Sequence, residues 1–152
     1  RLAFLRTPDS KFNLANFMRV NLYTSLGAVK LGLDILLKDE GVKLDRIMGH
    51  GGFFKTKEVG QRYLSAAVGA PVTVMDTASE GGAWGIALLA AYLADKKENE
   101  KLEDYLDKRI FARLSGVSIE ATKEDIEGFD KFMERYVAGL EVEKAAIEAM
   151  KW

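Results

Sequence analysis

Two glycine pairs are the residues in this chain best suited to chemistry. Gly51-Gly52 stands in GHGGFFKT and Gly81-Gly82 in SEGGAWG, each between an extended-looking segment and a helical-looking one. A glycine turn from strand to helix lets backbone come close to a ligand, and the free amides at a helix start can receive phosphate. The spacing is neither G-x-x-x-x-G-K-[ST] nor G-x-G-x-x-G, and a double glycine in an α/β chain also serves as a tight connection. On the residues alone, phosphate binding and corner-turning both stay open. In the second pair, the small residues Gly81, Gly82, Ala83, Gly85 and Ala87 give a thin helix face, as expected where a helix packs tightly against a sheet or a neighbour.

The remaining reactive side chains are sparse. His50 is the only histidine, and without cysteine or carboxylate pairs at ligand spacing it reads as a polar turn residue, so no metal site is expected. Asp76 follows an extended segment, a position from which carboxylates act, but a turn or helix-start role explains it equally. Glu80 is accounted for by the dipole of the helix it precedes. Neither a Ser/His/Asp set nor HExxH occurs, and no residue is assigned a catalytic role.

The elements that position these residues follow from periodicity. Leu14, Phe17, Met18, Leu22, Leu26, Val29, Leu33, Leu36 and Leu37 predict a long amphipathic helix over Leu14 to Lys38, capped by Asn13 and stopped at Gly41. Gly27 and Gly32 inside it predict a closely crossing neighbour. Val42 to Met48 reads as a short strand entering GHGG. A helix follows, capped by Thr56, carrying Val59, Tyr63, Leu64, Ala67 and Val68, and ending at Gly69. Pro71 opens a second strand, PVTVM; Asp76, Thr77 and Ser79 are candidate caps for a helix from about Glu80 to Ala94. This alternation predicts an α/β layer with a parallel sheet.

Beyond it, DKKENEKLEDYLDKR holds eleven charged residues among fifteen and reads as a solvated surface segment or loop. The last stretch reads as two helices, the first capped by Thr122 and carrying Ile126, Phe129, Phe132, Met133, Tyr136 and Val137, with Gly139 as the break.

The whole composition suits one soluble globular domain: 152 residues, 48% hydrophobic and 30% charged. A net charge of −1 gives no field to gather nucleic acid or an anionic membrane. The absence of cysteine fits a reducing cytoplasm. No apolar run reaches the roughly 18 residues of a bilayer span, so no membrane-crossing helix is expected, and RLAFLRTPDS is neither long nor apolar enough for a signal peptide. Beginning at Arg1 rather than Met, the chain reads as a piece of something longer.

Taken in order, NFMRVNLYTSLGAVKLGLDIL and VKLDRIMGHGGFFKTKEVGQRYLSAAVGAPVTVMDTASEGGAWGIALLAAYLA resemble the C-terminal lobe of the FGGY family of carbohydrate kinases. This group includes xylulokinase, ribulokinase and glycerol kinase. The glycine pair, the AVGAPVTV connection, and Glu80 with AWGIALLAA carry the likeness, and FDKFMERYVAGL is similar to the closing helix of pentulose kinases.

The resemblance implies a partial C-terminal lobe of the actin-like, ribonuclease H-like ATPase fold, with extra C-terminal helices, over residues 1–152. It implies ATP with Mg2+ as cofactors, Gly51 and Gly52 approaching the nucleotide, and Phe53 and Thr56 bordering adenosine, where Phe53 stacks or simply packs. The expected function is the ATP-binding part of a kinase that phosphorylates a sugar hydroxyl, most like a xylulokinase. In that family the catalytic aspartate and the first phosphate-binding turn belong to the N-terminal sugar-binding lobe, which has no counterpart here, so this chain alone is expected to be inactive. Exposure of the lobe interface leaves room for a homodimer. The alternative is a nucleotide-sensing lobe of another actin-like ATPase, and a third reading has the glycines only packing.

Overall fold

The computed structural model describes residues 4–56, 58–75, 81–113 and 115–150. In chain order the elements are α1 (Leu14–Asp34), β1 (Ile47–Gly49), α2 (Val59–Val68), β2 (Val72–Met75), α3 (Gly81–Asp95), α4 (Leu102–Tyr105), β3 (Gly116–Ile119) and α5 (Lys123–Ala149). They fall into two compact units. One comprises Arg1–Leu44, Ala66–Gly69 and Ala121–Trp152; the other comprises Asp45–Ser65 and Ala70–Glu120.

In the first unit, α1 starts as its cap dictates. Asn13 is extended and its side-chain oxygen accepts from the Asn16 amide at 2.8 Å. The helix runs on through a π-helical turn, Ile35–Asp39, and ends at Gly41, whose φ of +65° suits glycine. Asp34 receives Lys30 at 2.8 Å and Lys38 at 2.9 Å, both one turn away. Tyr23 meets Phe129 and Phe132 of α5 edge-on, at 4.9 and 5.2 Å between ring centroids, and Phe129 is fully buried. A side-chain carbon at Gly27 would lie 2.7 Å from the Tyr136 ring, so the expected close crossing exists there. Gly32 has nothing within 4 Å, and the crossing expected at it is absent.

Three expectations for this unit are corrected. The apolar stripe of α1 is only partly covered: Tyr23, Leu26 and Gly27 are buried, while Leu14, Met18 and Leu36 are exposed. The helical stretch Leu14–Asp39 is, by length and composition, long and apolar enough to cross a membrane, because its few charges are spread thinly among apolar residues. The C-terminal stretch is one helix, not two. Thr122 and Asp125 form a reciprocal capping box, and α5 passes through Gly139 because strong helix formers on both sides outweigh a glycine penalty of about 1 kcal/mol.

The second unit holds a three-stranded sheet in the order β1-β2-β3. β1 and β2 are parallel, Ile47 opposite Val72 and Gly49 opposite Val74, joined through α2 as the alternation predicted. β3 is an addition that the sequence did not announce: it runs antiparallel to β2, so the sheet is mixed. Its residues are mostly exposed, which leaves no alternating apolar signal. The strand before GHGG is also shorter than expected. Gln61, buried on α2, donates to the carbonyls of Val72 at 3.0 Å and Val117 at 2.7 Å, tying the helix to β2 and β3. Gly69, at φ +70°, follows the end of α2 as expected.

The charged segment is largely exposed surface, as expected, and its second half is helical rather than loop. It forms α4 and a π-helical turn, Leu106–Ile110, organised around buried Tyr105, whose ring lies 5.4 Å from that of Tyr92 on α3. Arg109 stacks over Tyr105 at 4.8 Å and pairs with Asp95 at 2.7 Å and Glu100 at 3.0 Å. Arg109 thus ties a small group of these charges to the Tyr105 ring, while most of the segment's other charges face solvent.

Candidate functional site

The loop from Gly49 to Thr56 is shaped by glycines acting in different ways. β1 ends at Gly49, which is buried; a side-chain carbon there would lie 2.7 Å from the Phe54 ring. Gly51 has φ +94° and ψ −172°, a backbone region that is essentially reserved for glycine. A 3-10 turn follows over Gly52–Phe54, with the Phe54 amide donating to the Gly51 carbonyl at 3.1 Å and Lys55 to Gly52 at 3.2 Å. At both Gly51 and Gly52 a side-chain carbon would meet nothing within 4 Å. Their backbone therefore faces open space.

Phe53 and Phe54, themselves part of this turn, pack against Gly60 and Gly49 respectively. Their rings are 5.4 Å apart and nearly perpendicular. Phe53 is half-buried against α2: a carbon on Gly60 would lie 2.5 Å from the Phe53 carbonyl and 2.9 Å from its ring. Gly49 and Gly60 are thus positioning glycines that sequence reading passed over. Their signal is position, one closing a strand and one in the first turn of a helix. Thr56 is exposed, and because α2 begins at Val59 its cap position is Glu58, so Thr56 does not cap it. Glu58 itself has φ +67°, a left-handed backbone that a non-glycine residue rarely adopts.

The topology brings the two glycine pairs together. Parallel β1 and β2 deliver GHGG and the start of α3 to the same end of the sheet, and a carbon at Gly81 would lie 3.0 Å from both Cβ and Nδ1 of His50. Gly81 leaves room for that ring. Gly82 and Gly85 have nothing within 4 Å, and α3 has no buried residue; Ile86 is 71% and Leu93 70% exposed. The tight packing expected of the thin face is therefore limited to Gly81, while Trp84 and Tyr92 supply the ring contacts of α3, to Phe111 and Tyr105. Asp76, Thr77, Ser79 and Glu80 lie outside the described residues.

Of the four residues expected to border nucleotide, Gly51, Gly52 and Phe53 form one continuous turn, and Thr56 stands exposed just after it. Among the described residues no group of three or more His, Asp or Glu side chains could hold a metal ion. Chemically, the turn offers bare backbone and amides, a surface suited to an anion or a flat polar ligand rather than to proton transfer.

The sequence profile of the FGGY family of carbohydrate kinases, C-terminal domain, matches residues 1–94. The match covers α1, β1, the GHGG loop, α2, β2 and all but the last residue of α3. Comparison with curated proteins and with solved structures finds no match.

Proposed function

Because the chain belongs to the FGGY family of carbohydrate kinases, we propose that it is the C-terminal, ATP-binding part of a sugar kinase with the actin-like ATPase fold. The complete enzyme transfers the γ-phosphoryl group of ATP to a sugar hydroxyl, with a ketopentose such as xylulose as acceptor. The observation that carries this reading is the bare backbone at Gly51 and Gly52, open for at least 4 Å where side chains would stand, at the end of a parallel strand.

In this reading Gly51 and Gly52 receive the phosphate side of ATP through backbone, and Phe53 and Thr56 border adenosine. Phe53 contributes chiefly by fixing the turn, since its carbonyl and ring edge are already engaged at Gly60. Magnesium-ATP supplies the transferable group when bound; this chain's residues position it. The sugar pocket, the base and the metal ligands come from a lobe outside residues 1–152, so the chain alone binds without transferring. Family membership weighs against the alternative of a nucleotide sensor from another actin-like ATPase.

The test is an assay of the complete reading frame with magnesium-ATP against ketopentoses and polyols. Phosphorylation of a ketopentose is expected. ATP turnover that no sugar stimulates would overturn the kinase reading.

A further inference from the structure

We infer that His50 is a positioning residue that fixes the glycine turn to the first turn of α3, so that the amides of the two glycine pairs present a single surface. The inference rests on the nucleotide-binding reading of Gly51-Gly52 and names a residue which that reading leaves without a role.

His50 is exposed, yet its Cβ, Nδ1 and Cγ all lie 3.0–3.1 Å from where a side-chain carbon of Gly81 would stand. Real carbon contacts are rarely so short, so a side chain at position 81 and the imidazole cannot keep their present places together. One of these atoms is Cβ, which is fixed to the backbone and which no change of rotamer can carry away. His50 sits immediately before the Gly51 backbone at φ +94°, and α3 is a helix of fifteen residues whose first amides have no partner in the helix itself. A displacement of His50 is therefore passed directly to the turn on one side, and its seat on Gly81 ties that turn to α3 on the other. Gly82, next along, faces open space like Gly52.

The test combines His50→Ala, Gly81→Ala and the double variant, in the full 152-residue chain, with ATP titrations followed by amide shifts. In the wild type, a through-space signal between the His50 ring and the Gly81 α-protons is expected without ligand, and its absence overturns the inference. With ATP, the amides of Gly51, Gly52, Gly81 and Gly82 should move together, and each single variant should weaken binding by about fivefold or more at an unchanged melting temperature. The double variant should lose much less than the sum of the two single losses, because both changes break the same seat and the Cβ that alanine keeps at position 50 still crowds the one added at position 81. His50→Phe, which restores a flat ring on Gly81, should recover most of the loss. If the wild type binds and the variants bind equally well, the positioning role is wrong while the nucleotide reading stands. A wild type silent to millimolar ATP overturns the nucleotide reading and the role built on it, even where the ring contact is seen.

Discussion

Gly51 and Gly52 are adjacent, yet the structure asks different things of them. Gly51 holds φ +94°, so Gly51→Ala forces a strained backbone and is expected to destabilise the protein by about 1–3 kcal/mol. Gly52 begins a 3-10 turn outside the left-handed region and has nothing within 4 Å, so Gly52→Ala should stay within about 0.5 kcal/mol of wild type. Chemical denaturation of the two variants separates them. Equal losses would mean that one backbone constraint governs both. Asp34 gives a second prediction. Partial burial pushes its carboxyl up, but hydrogen bonds and attraction from Lys30 and Lys38 outweigh this and hold it below the ordinary value of 3.8. A depressed carboxyl stabilises the fold above that value and loses its contribution as pH falls through the folded one. Melting temperatures between pH 5 and 2 should therefore fall more steeply for wild type than for Asp34→Asn.

At the scale of elements, α1 carries two glycines with opposite expectations. Gly27→Ala drives a methyl into the Tyr136 ring, and overpacking of about 1–3 kcal/mol exceeds the helical gain, so α1 and α5 should separate and stability should drop. Gly32→Ala meets open space and should stabilise by up to about 1 kcal/mol. Thermal melts of the pair decide this, and a shift of the same sign in both would contradict it. The sequence made α1 legible because Asn13 and Gly41 mark its ends chemically, and the capping box at Thr122 did the same for α5. It was silent on β3, whose exposed residues show no alternation, and half legible at α4, where most charges face solvent as read but Arg109 lies over Tyr105 and pairs with Asp95 and Glu100. In the candidate site the glycine pairs were legible as residue types. Their meeting through His50 and Gly81 was not, because it arises from parallel pairing of Ile47 with Val72 and Gly49 with Val74, strands separated in sequence by the whole of α2.

For the whole molecule, much apolar surface stays uncovered, including Ile86, Leu89 and Leu93 on α3 and Leu14 and Met18 on α1. The chain should therefore self-associate as its concentration rises, more strongly in sulfate, which strengthens apolar burial. Sedimentation checks this; a monomer at every concentration would contradict it. A homodimer is one form that this association can take.

The family assignment, the open turn and the two converging glycine pairs all meet in one claim, that residues 51–56 receive ATP. The most direct test is to titrate magnesium-ATP into the wild-type chain and Gly52→Ala while following the amides from Gly51 to Thr56. Saturating shifts in the wild type at millimolar nucleotide, lost or greatly weakened in a Gly52→Ala protein of unchanged stability, are the predicted result. A wild-type loop that does not respond, or a Gly52→Ala loop that responds equally, would contradict it.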